Sequence, residues 1–545
     1  MTEVTKVFFN GPILALDEFG QTVEALATCG DMIAAVGSSA AVLSRPGPKT
    51  EAIDLKGRTL IPGFIDGHGH FTETGRNYRF KLDLRSPPLG RIRNLTDLVA
   101  AVQKKAAETT PGTWIQGFGY DDTLLDEKRH PLAGDLDSAT KDHPVAITHI
   151  SGHFLAVNTR ALEIAGLGAG TADPLGGRLR RLEDGRPSGL LEEHAAEDLV
   201  RRHIPWLSED EEIEAVRTAS AVWAARGVTT AQDGSTSGKN LAALLAAAKN
   251  EGHLSVRVQL FPDYELAGSG QLPVQSGQFL TPRRKLTIGP TKLFSDGSLQ
   301  GYTGFLANPY HRVMYDLGPT WRGYPAMDIG LLTEKIKLLH LAGRQVAVHA
   351  NGDAAIGAVI DAFEAALKIK PVSDHRHLII HCQTVREDQL DRMAALGLKA
   401  SFFVVHIHYW GDRHHDIFLG SDRAARLNPL SSAINRDITF SLHNDSPITP
   451  IDPLRSVQTA VTRMTLAGKI LGPEYRIGVT QALRAVTADA AYLAFEEKRK
   501  GRLAPGLLAD LVVLNQNPLE ISPEKIADIK VLATLVGGQV IYGEL

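Results

Sequence analysis

The sequence predicts an α/β fold in which eight parallel strands alternate with helices and close as a TIM-like (β/α)8 barrel. Three observations predict it. Short apolar runs recur at Leu60 to His68, Val228 to Gln232, Val256 to Phe261, Leu286 to Phe294, Val346 to His349, Leu378 to His381, Lys399 to Val404 and Ile438 to His443. Helical patterns lie between several of them, as in Ala354 to Ile369, with apolar residues at three-and-four spacing. Several runs end in a histidine, and the last is followed by Asp445, so chemistry-bearing groups collect at strand carboxyl ends.

The flanks read differently. Up to about Thr59, short apolar runs alternate with Gly and Asp turns, as from Ala25 to Gly37, which predicts small antiparallel strands. The tail repeats the pattern, with Ala509 to Leu514 and Val531 to Tyr542 as strands. Residues 1–59 and 500–545 are therefore expected to build one small β-sandwich beside a barrel of residues 60–499. About 150 residues separate the first two barrel strands, far more than an ordinary connection. They include strand-like runs at Thr113 to Gly117 and Val145 to Thr148 and a helix at Glu209 to Ala225. An insertion that follows a strand's carboxyl end emerges at the barrel mouth, so residues 75–225 are expected to cap the site.

A chain of 545 residues buries a large core without difficulty. Its 58 Lys and Arg against 62 Asp and Glu leave a net charge of −4 with no basic stripe, which argues against nucleic acid or an anionic membrane as partner. Two cysteines, Cys29 and Cys382, stand in unlike contexts, so no disulfide framework is expected and a reducing compartment fits. Cys382 follows His381 and is expected to pack on the strand's opposite face. Met1 to Lys6 lacks the form of a secretory leader, and no run is long enough to span a membrane. A cytoplasmic protein with a small-molecule substrate, forming a homodimer, is expected.

Alternate residues of a strand share a face, so His68 and His70, after Leu60-Ile61-Pro62-Gly63-Phe64-Ile65-Asp66-Gly67, aim two imidazoles at one spot. His349 and His381 end two further runs, Lys292 lies within a mostly apolar one, and Asp445 follows the eighth. Imidazole and carboxylate suit zinc and similar divalent ions.

The order His-x-His, Lys, His, His, Asp resembles the amidohydrolase superfamily of metal-dependent hydrolases. More narrowly the chain is similar to amidohydrolase family 3, the branch that includes N-substituted formamide deformylases. Gly117-Phe118-Gly119-Tyr120-Asp121, Leu136-Asp137, Gly152-His153 with Asn158 and Ala161-Leu162, Ser188-Gly189-Leu190-Leu191-Glu192-Glu193 and the tail from Gly501 to Leu514 carry the likeness nearly end to end. The resemblance implies the barrel with its satellite sandwich, ligands on these strands, and Lys292 carbamylated as a bridge between two metal ions. One ion would sit at His68, His70 and Asp445 and the other at His349 and His381. Alternatives stay open. Lys292 could be a plain cation paired with Asp296 or another carboxylate, Glu193 could supply the bridge or a ligand or could instead be a solvated acid at a helix start, and one ion or two could bind.

A divalent ion brings the pKa of bound water close to neutrality, and Asp445 is placed to take its proton and pass it to a leaving nitrogen. The expected reaction is hydrolysis of an amide-type C–N bond. A lyase or aldolase-like C–C cleavage, or a deamination, is the alternative use of the same groups. His153 is expected to face the site and share in catalysis. Tyr120, Asp121, Tyr302, His311, His406, His408 and Trp410 are candidates for the substrate pocket. Phe403-Val404-Val405 stands where the commoner family pattern has Gln-Pro before the first loop histidine, so substrate identity does not carry over from relatives.

Overall fold

The computed structural model describes residues 4–44, 47, 49–250, 252–282, 284–313 and 317–545. The leader reading at Met1 to Glu3 falls outside them. No helix among the described residues is long and apolar enough to cross a membrane.

The eight parallel strands are Phe64–Ile65, Val228–Thr236, Arg257–Pro262, a fourth in two pieces (Leu286–Ile288 and Thr291–Phe294), Val346–Ala350, Leu378–His381, Lys399–Phe402 and Phe440–Leu442. Each pairs with its neighbour in chain order. They form a four-stranded and a five-stranded sheet that divide within the fourth strand. Gly289-Pro290 causes that division. Proline has no N–H for the ladder, and a Cβ on Gly289 would stand 2.9 Å from the Leu260 carbonyl oxygen. No ladder joins the eighth strand to the first among the described residues. There the chain is held instead by Asp445 N donating to His68 O at 3.2 Å, and Gly67 packs so closely that a Cβ would lie 2.5 Å from Leu442 O. The arrangement is TIM-like, with the helix Asp353–Ile369 among those that bury an apolar face against the strands.

One expected element divides. The run Leu60 to His68 is not a single strand, because Thr59–Pro62 pairs antiparallel with Leu511–Leu514 in a terminal sheet and only Phe64–Ile65 joins the second barrel strand. Gly63 is the junction. A Cβ there would meet the Thr229 side chain at 2.2 Å, so the chain crosses between sheets at its narrowest residue. Apolar pattern alone does not reveal the change, since both pieces are buried.

Strands from both ends of the sequence form two sheets. Lys6–Phe9, Ala25–Cys29, Met32–Gly37 and Glu51–Asp54 make one. Ile13–Leu14, Thr22–Val23, Thr59–Pro62, Leu511–Leu514, Val531–Val536 and Gln539–Gly543 make the other. Phe8, Leu26 and Ile33 of the first share an apolar core with Leu60, Leu511, Val513 and Leu535 of the second.

The segment between the first two barrel strands has its own six-stranded sheet, ordered Arg178–Arg181, Pro187–Glu192, Phe154–Val157, Val145–His149, Ile115–Tyr120 and Leu82–Asp83. Helices Phe71–Phe80 and Glu209–Ala224 pack together where this segment leaves and rejoins the barrel strands. Ser208 caps the latter in a reciprocal pair with Glu211, a start legible in Ser-Glu-Asp-Glu.

Candidate metal centre

The turn after the first strand is Asp66-Gly67-His68-Gly69-His70. Buried Asp66 ties it down, accepting from Trp223 Nε1 at 3.1 Å and from His68 N at 3.3 Å. Gly69 lets the turn close over that carboxylate, since a Cβ would stand 2.6 Å from Asp66 Oδ2. Burial pushes the Asp66 carboxyl up to about 7.

His70 Nδ1 lies 2.7 Å from Gly234 O, an acceptor, so its proton is on Nδ1 and the lone pair of Nε2 faces Asp445 Oδ1 at 3.3 Å. His68 is fully buried, with Nε2 3.8 Å from the same oxygen and Nδ1 without a hydrogen-bond partner. Asp445 Oδ1 is buried and also lacks a hydrogen bond. The three residues' ligand atoms lie within 4.8 Å of one another. Electron-rich atoms converging in this way repel unless a cation lies among them, so the donor set fits a divalent ion.

A second pair adjoins the first. His349 Nδ1 and His381 Nε2 are 3.1 Å apart. His349 Nε2 lies 3.1 Å from the Gly297 carbonyl, and in the tautomer that donates to it Nδ1 carries the lone pair. His381 Nδ1 meets His443 Nε2 at 3.1 Å, and His443 Nδ1 meets Ser401 Oγ at 2.8 Å. Ser401 gives its one hydroxyl proton to Gly67 O at 3.0 Å and accepts from Ser441 Oγ at 2.9 Å. It can therefore only accept from His443 Nδ1–H. That makes His443 Nε2 the acceptor for His381 and turns the His381 Nε2 lone pair toward His349. This relay fixes a ligand's ring as metal sites require, and it returns to the carbonyl just before His68.

Lys292 is buried on the fourth strand with Nζ 2.8 Å from His68 Nε2. Burial pulls its amine down to about 7 against the opposing pull of Asp445. The expected alternative pairing with Asp296 is not formed. Asp296 accepts backbone N–H bonds from Phe305, Asn351 and Gly352 at 2.9, 3.0 and 2.8 Å.

Glu193 corrects another expectation. It begins the helix Glu193–Arg201, yet it is 4% exposed with φ +66°, not solvated. Its Oε2 accepts from His153 Nδ1 at 2.8 Å, and Oε1 has no partner. Burial would lower the His153 imidazolium, but Glu193 outweighs it and raises its pKa above the usual 6.5. The His153 ring stands over His349, with centroids 5.6 Å apart.

These groups open onto a cavity of about 420 Å³. His70, His349, His381 and Asp445 form its floor, and His153 and His194 come from the inserted segment. Phe118, Ile150, Phe294 and Ile448 make an apolar belt, and Glu73, Asn240 and Arg201 stand at the far end.

None of the seven pocket candidates lines this cavity. Tyr120 turns inward to His130, with its OH 3.1 Å from Nδ1. Asp121 is paired with Arg413 at 2.7 Å and, with Trp410, lines a separate cavity of about 360 Å³. Tyr302 is buried against Tyr310 and Phe418. His311 is exposed beside Gly420. His406 lies under Phe403 with centroids 3.9 Å apart, and His408 Nδ1 reaches Met464 O at 3.3 Å. The loop after the seventh strand folds into the helix His406–Arg413, which packs these polar rings away from the mouth. Cys382 is buried as expected.

Asp121, Asp122 and His149 also converge. There the ring nitrogens of His149 are already used, by Ser151 at 2.8 Å and Asp122 at 2.9 Å, and Arg413 neutralises Asp121. The sequence reading missed Ser401, His443 and Asp66 as functional positions. His443 had a signal, because it stands two positions before Asp445, the same spacing as His68 and His70.

Residues 51–542 match the model of the amidohydrolase family. Protein LONG AFTER FAR-RED 3 of Arabidopsis thaliana is 31% identical over 98% of this chain and 91% of its own length. N-substituted formamide deformylase of Arthrobacter pascens is 26% identical over 98% of each. Among solved structures, an uncharacterized metal-dependent hydrolase from Pyrococcus horikoshii OT3 superposes with a TM-score of 0.74 at 25% identity, covering 95% of this chain and 99% of that one. With a matched model spanning nearly all of its length and histidines and a carboxylate converging at the strand ends, the chain belongs to the amidohydrolase family and is a hydrolase.

Proposed function

We propose that the protein hydrolyses the C–N bond of a small N-substituted amide, with zinc ions held by His68, His70 and Asp445 and by His349 and His381. Lys292, carbamylated by carbon dioxide with loss of an amine proton, would supply oxygen donors between the two positions. The observation that carries this reading is the convergence of His70 Nε2 and His68 Nε2 on Asp445 Oδ1, at 3.3 and 3.8 Å. A bound divalent ion supplies polarisation of the substrate carbonyl and acidification of the attacking water. Carbamylation needs an unprotonated amine, and the depressed pKa of Lys292 supports it.

Asp445 takes the proton from the attacking water and returns it to the leaving nitrogen, from a position fixed by its backbone bond to His68 O. His153, held at Nδ1 by Glu193, turns Nε2 to the cavity and donates to the substrate's carbonyl oxygen as negative charge develops there. In this arrangement Glu193 positions His153, and the bridging role falls to Lys292. The belt of Phe118, Ile150, Phe294 and Ile448 excludes water from the reacting atoms. The named deformylase among the relatives supports a formamide or aryl amide as substrate. A homodimer in a cytoplasmic setting completes the proposal.

The test is metal analysis of protein purified without added metal, then a screen of N-formyl, N-acetyl and aryl amides with products identified. Release of an amine and a carboxylic acid supports the reading. Full activity after chelator treatment overturns it, and C–C cleavage products would assign the site to a lyase.

A further inference from the structure

The metal cavity does not end at its charged wall. Glu73, Arg201 and Asn240 also line a second cavity of about 270 Å³, whose other walls include Phe80, Ile204, Pro205, Trp206 and Leu207. The two spaces meet at those three residues as at a waist. Trp206 is 64% exposed, and Lys239 Nζ lies over its ring, giving the outer pocket an aromatic wall braced from one side.

Arg201 gives Nε to Glu197 at 3.1 Å and Nη2 to Thr148 Oγ1 at 3.1 Å, and among the described residues Nη1 has no acceptor, as is also true of Arg76 Nη2 in the outer pocket's wall. Asn240 Oδ1 already accepts from Arg76, and Glu73 is paired with Lys81 at 2.7 Å. Charge is balanced around it, with Arg76, Lys81 and Arg201 against Glu73, Glu197 and Glu212, and Asp198 adds a negative group at the cavity wall. An acceptor at Arg201 Nη1 is thus favoured and a full negative charge is not.

We propose that the outer pocket is a second substrate subsite. It takes the aromatic or apolar tail of an extended, uncharged amide whose chain presents a carbonyl oxygen to Arg201 at the waist. This rests on the hydrolytic reading above and names the class of N-substituent that the site selects.

The experiment compares kcat/KM for N-formyl-β-alanine anilide, N-ethylformamide and N-formyl-β-alanine in the wild type, Trp206→Ala and Trp206→Phe. The anilide is expected to be preferred over N-ethylformamide, and the carboxylate to gain nothing from its added group. In Trp206→Ala the anilide preference should fall about tenfold, the worth of one buried aromatic face, and Trp206→Phe should recover most of it. An unchanged preference in Trp206→Ala, or a preference for the carboxylate, overturns the subsite. Calorimetric titration of the same proteins with 1-phenylpentan-2-one, a ketone with no amide bond to cleave, separates the two readings. Binding that depends on Trp206 without turnover of any formamide keeps the subsite and removes the reaction, whereas turnover with ketone binding indifferent to Trp206 does the reverse.

Discussion

Gly234→Ala is expected to empty the first metal position without replacing a ligand. Gly234 lies on the second barrel strand at ordinary φ, so the substitution adds volume and no backbone strain. Its Cβ would stand 2.4 Å from His68 Cε1, 3.0 Å from Gly69 O and 3.2 Å from His68 Nδ1. Carbon atoms in contact prefer roughly 3.5 Å, so the ring must withdraw by about 1 Å. The strand cannot retreat instead, because Gly234 N donates to Gly69 O at 2.7 Å and Gly234 O is the partner of His70. Nor has the ring free space, since Phe261, His381 and His443 stand around it with centroids at 5.8, 5.7 and 5.4 Å. Overpacking of this kind costs about 1–3 kcal/mol, and a metal ligand tolerates only about 0.2 Å of displacement. Metal affinity should therefore fall at least about a hundredfold, with a modest drop in melting temperature. Chelator competition with metal quantification measures the first and thermal denaturation the second. Gly238→Ala is the control, because nothing lies within 4 Å of its Cβ. Wild-type metal affinity in Gly234→Ala, at an unchanged melting temperature, would refute the packing argument.

Asp445→Asn should lower kcat by at least about a hundredfold while KM changes little, with metal content measured beside the rate because the residue also serves as a ligand. Lys292→Ala should lose activity and regain part of it with added propionate, and a variant that gains nothing from short carboxylic acids would show that the lysine is no bridge. In His443→Phe the relay to His381 is broken, so metal affinity should fall about ten- to a hundredfold, and His443→Gln should recover part of it in the same titration. Arg257→Met tests the far side of the barrel strands, where Arg257 clasps buried Asp510 at 2.8 and 3.0 Å and the loss should cost about 3–5 kcal/mol at neutral pH. Burial alone would raise the Asp510 carboxyl, but Arg257 holds it below 3.8, so its stabilisation is present above the unfolded pKa and lost as pH falls through the folded value. Without the guanidinium the sign reverses, and the gap between variant and wild type in urea denaturation should narrow from pH 7 to pH 4.

The metal-facing residues were legible because their chemistry is local. A histidine or aspartate closing an apolar run can be read from a few positions, and strand alternation makes His68 and His70 neighbours without knowledge of the fold. The second barrel run was read short, since Asp233 and Gly234 look like a turn and are strand in the structure, held by His70 and Gly69 from another part of the chain. The alternative of a solvated Glu193 fails for a related reason. Pro-Ser followed by acids has the form of an exposed helix start, and only His153, forty positions earlier, makes it a buried partner. His406, His408 and Trp410 lie outside the lining of the cavity because polar and aromatic richness does not say which way a loop folds. Once the segment after the seventh strand becomes a helix, His406 and Trp410 face the interior.

The pairing of Thr59–Pro62 with Leu511–Leu514 also sets an order on synthesis. The strand Thr59–Pro62, just before the first barrel strand, emerges from the ribosome early and waits, with one open edge, for a partner made after all eight barrel strands. Until then Leu60 is held on one edge only, by the earlier strand Ile13–Leu14, and the other edge stays unpaired. Sequence-distant pairing of this kind slows folding and leaves a nascent chain prone to association. The open edge of Thr59–Pro62 is closed only when Leu511–Leu514 has been made.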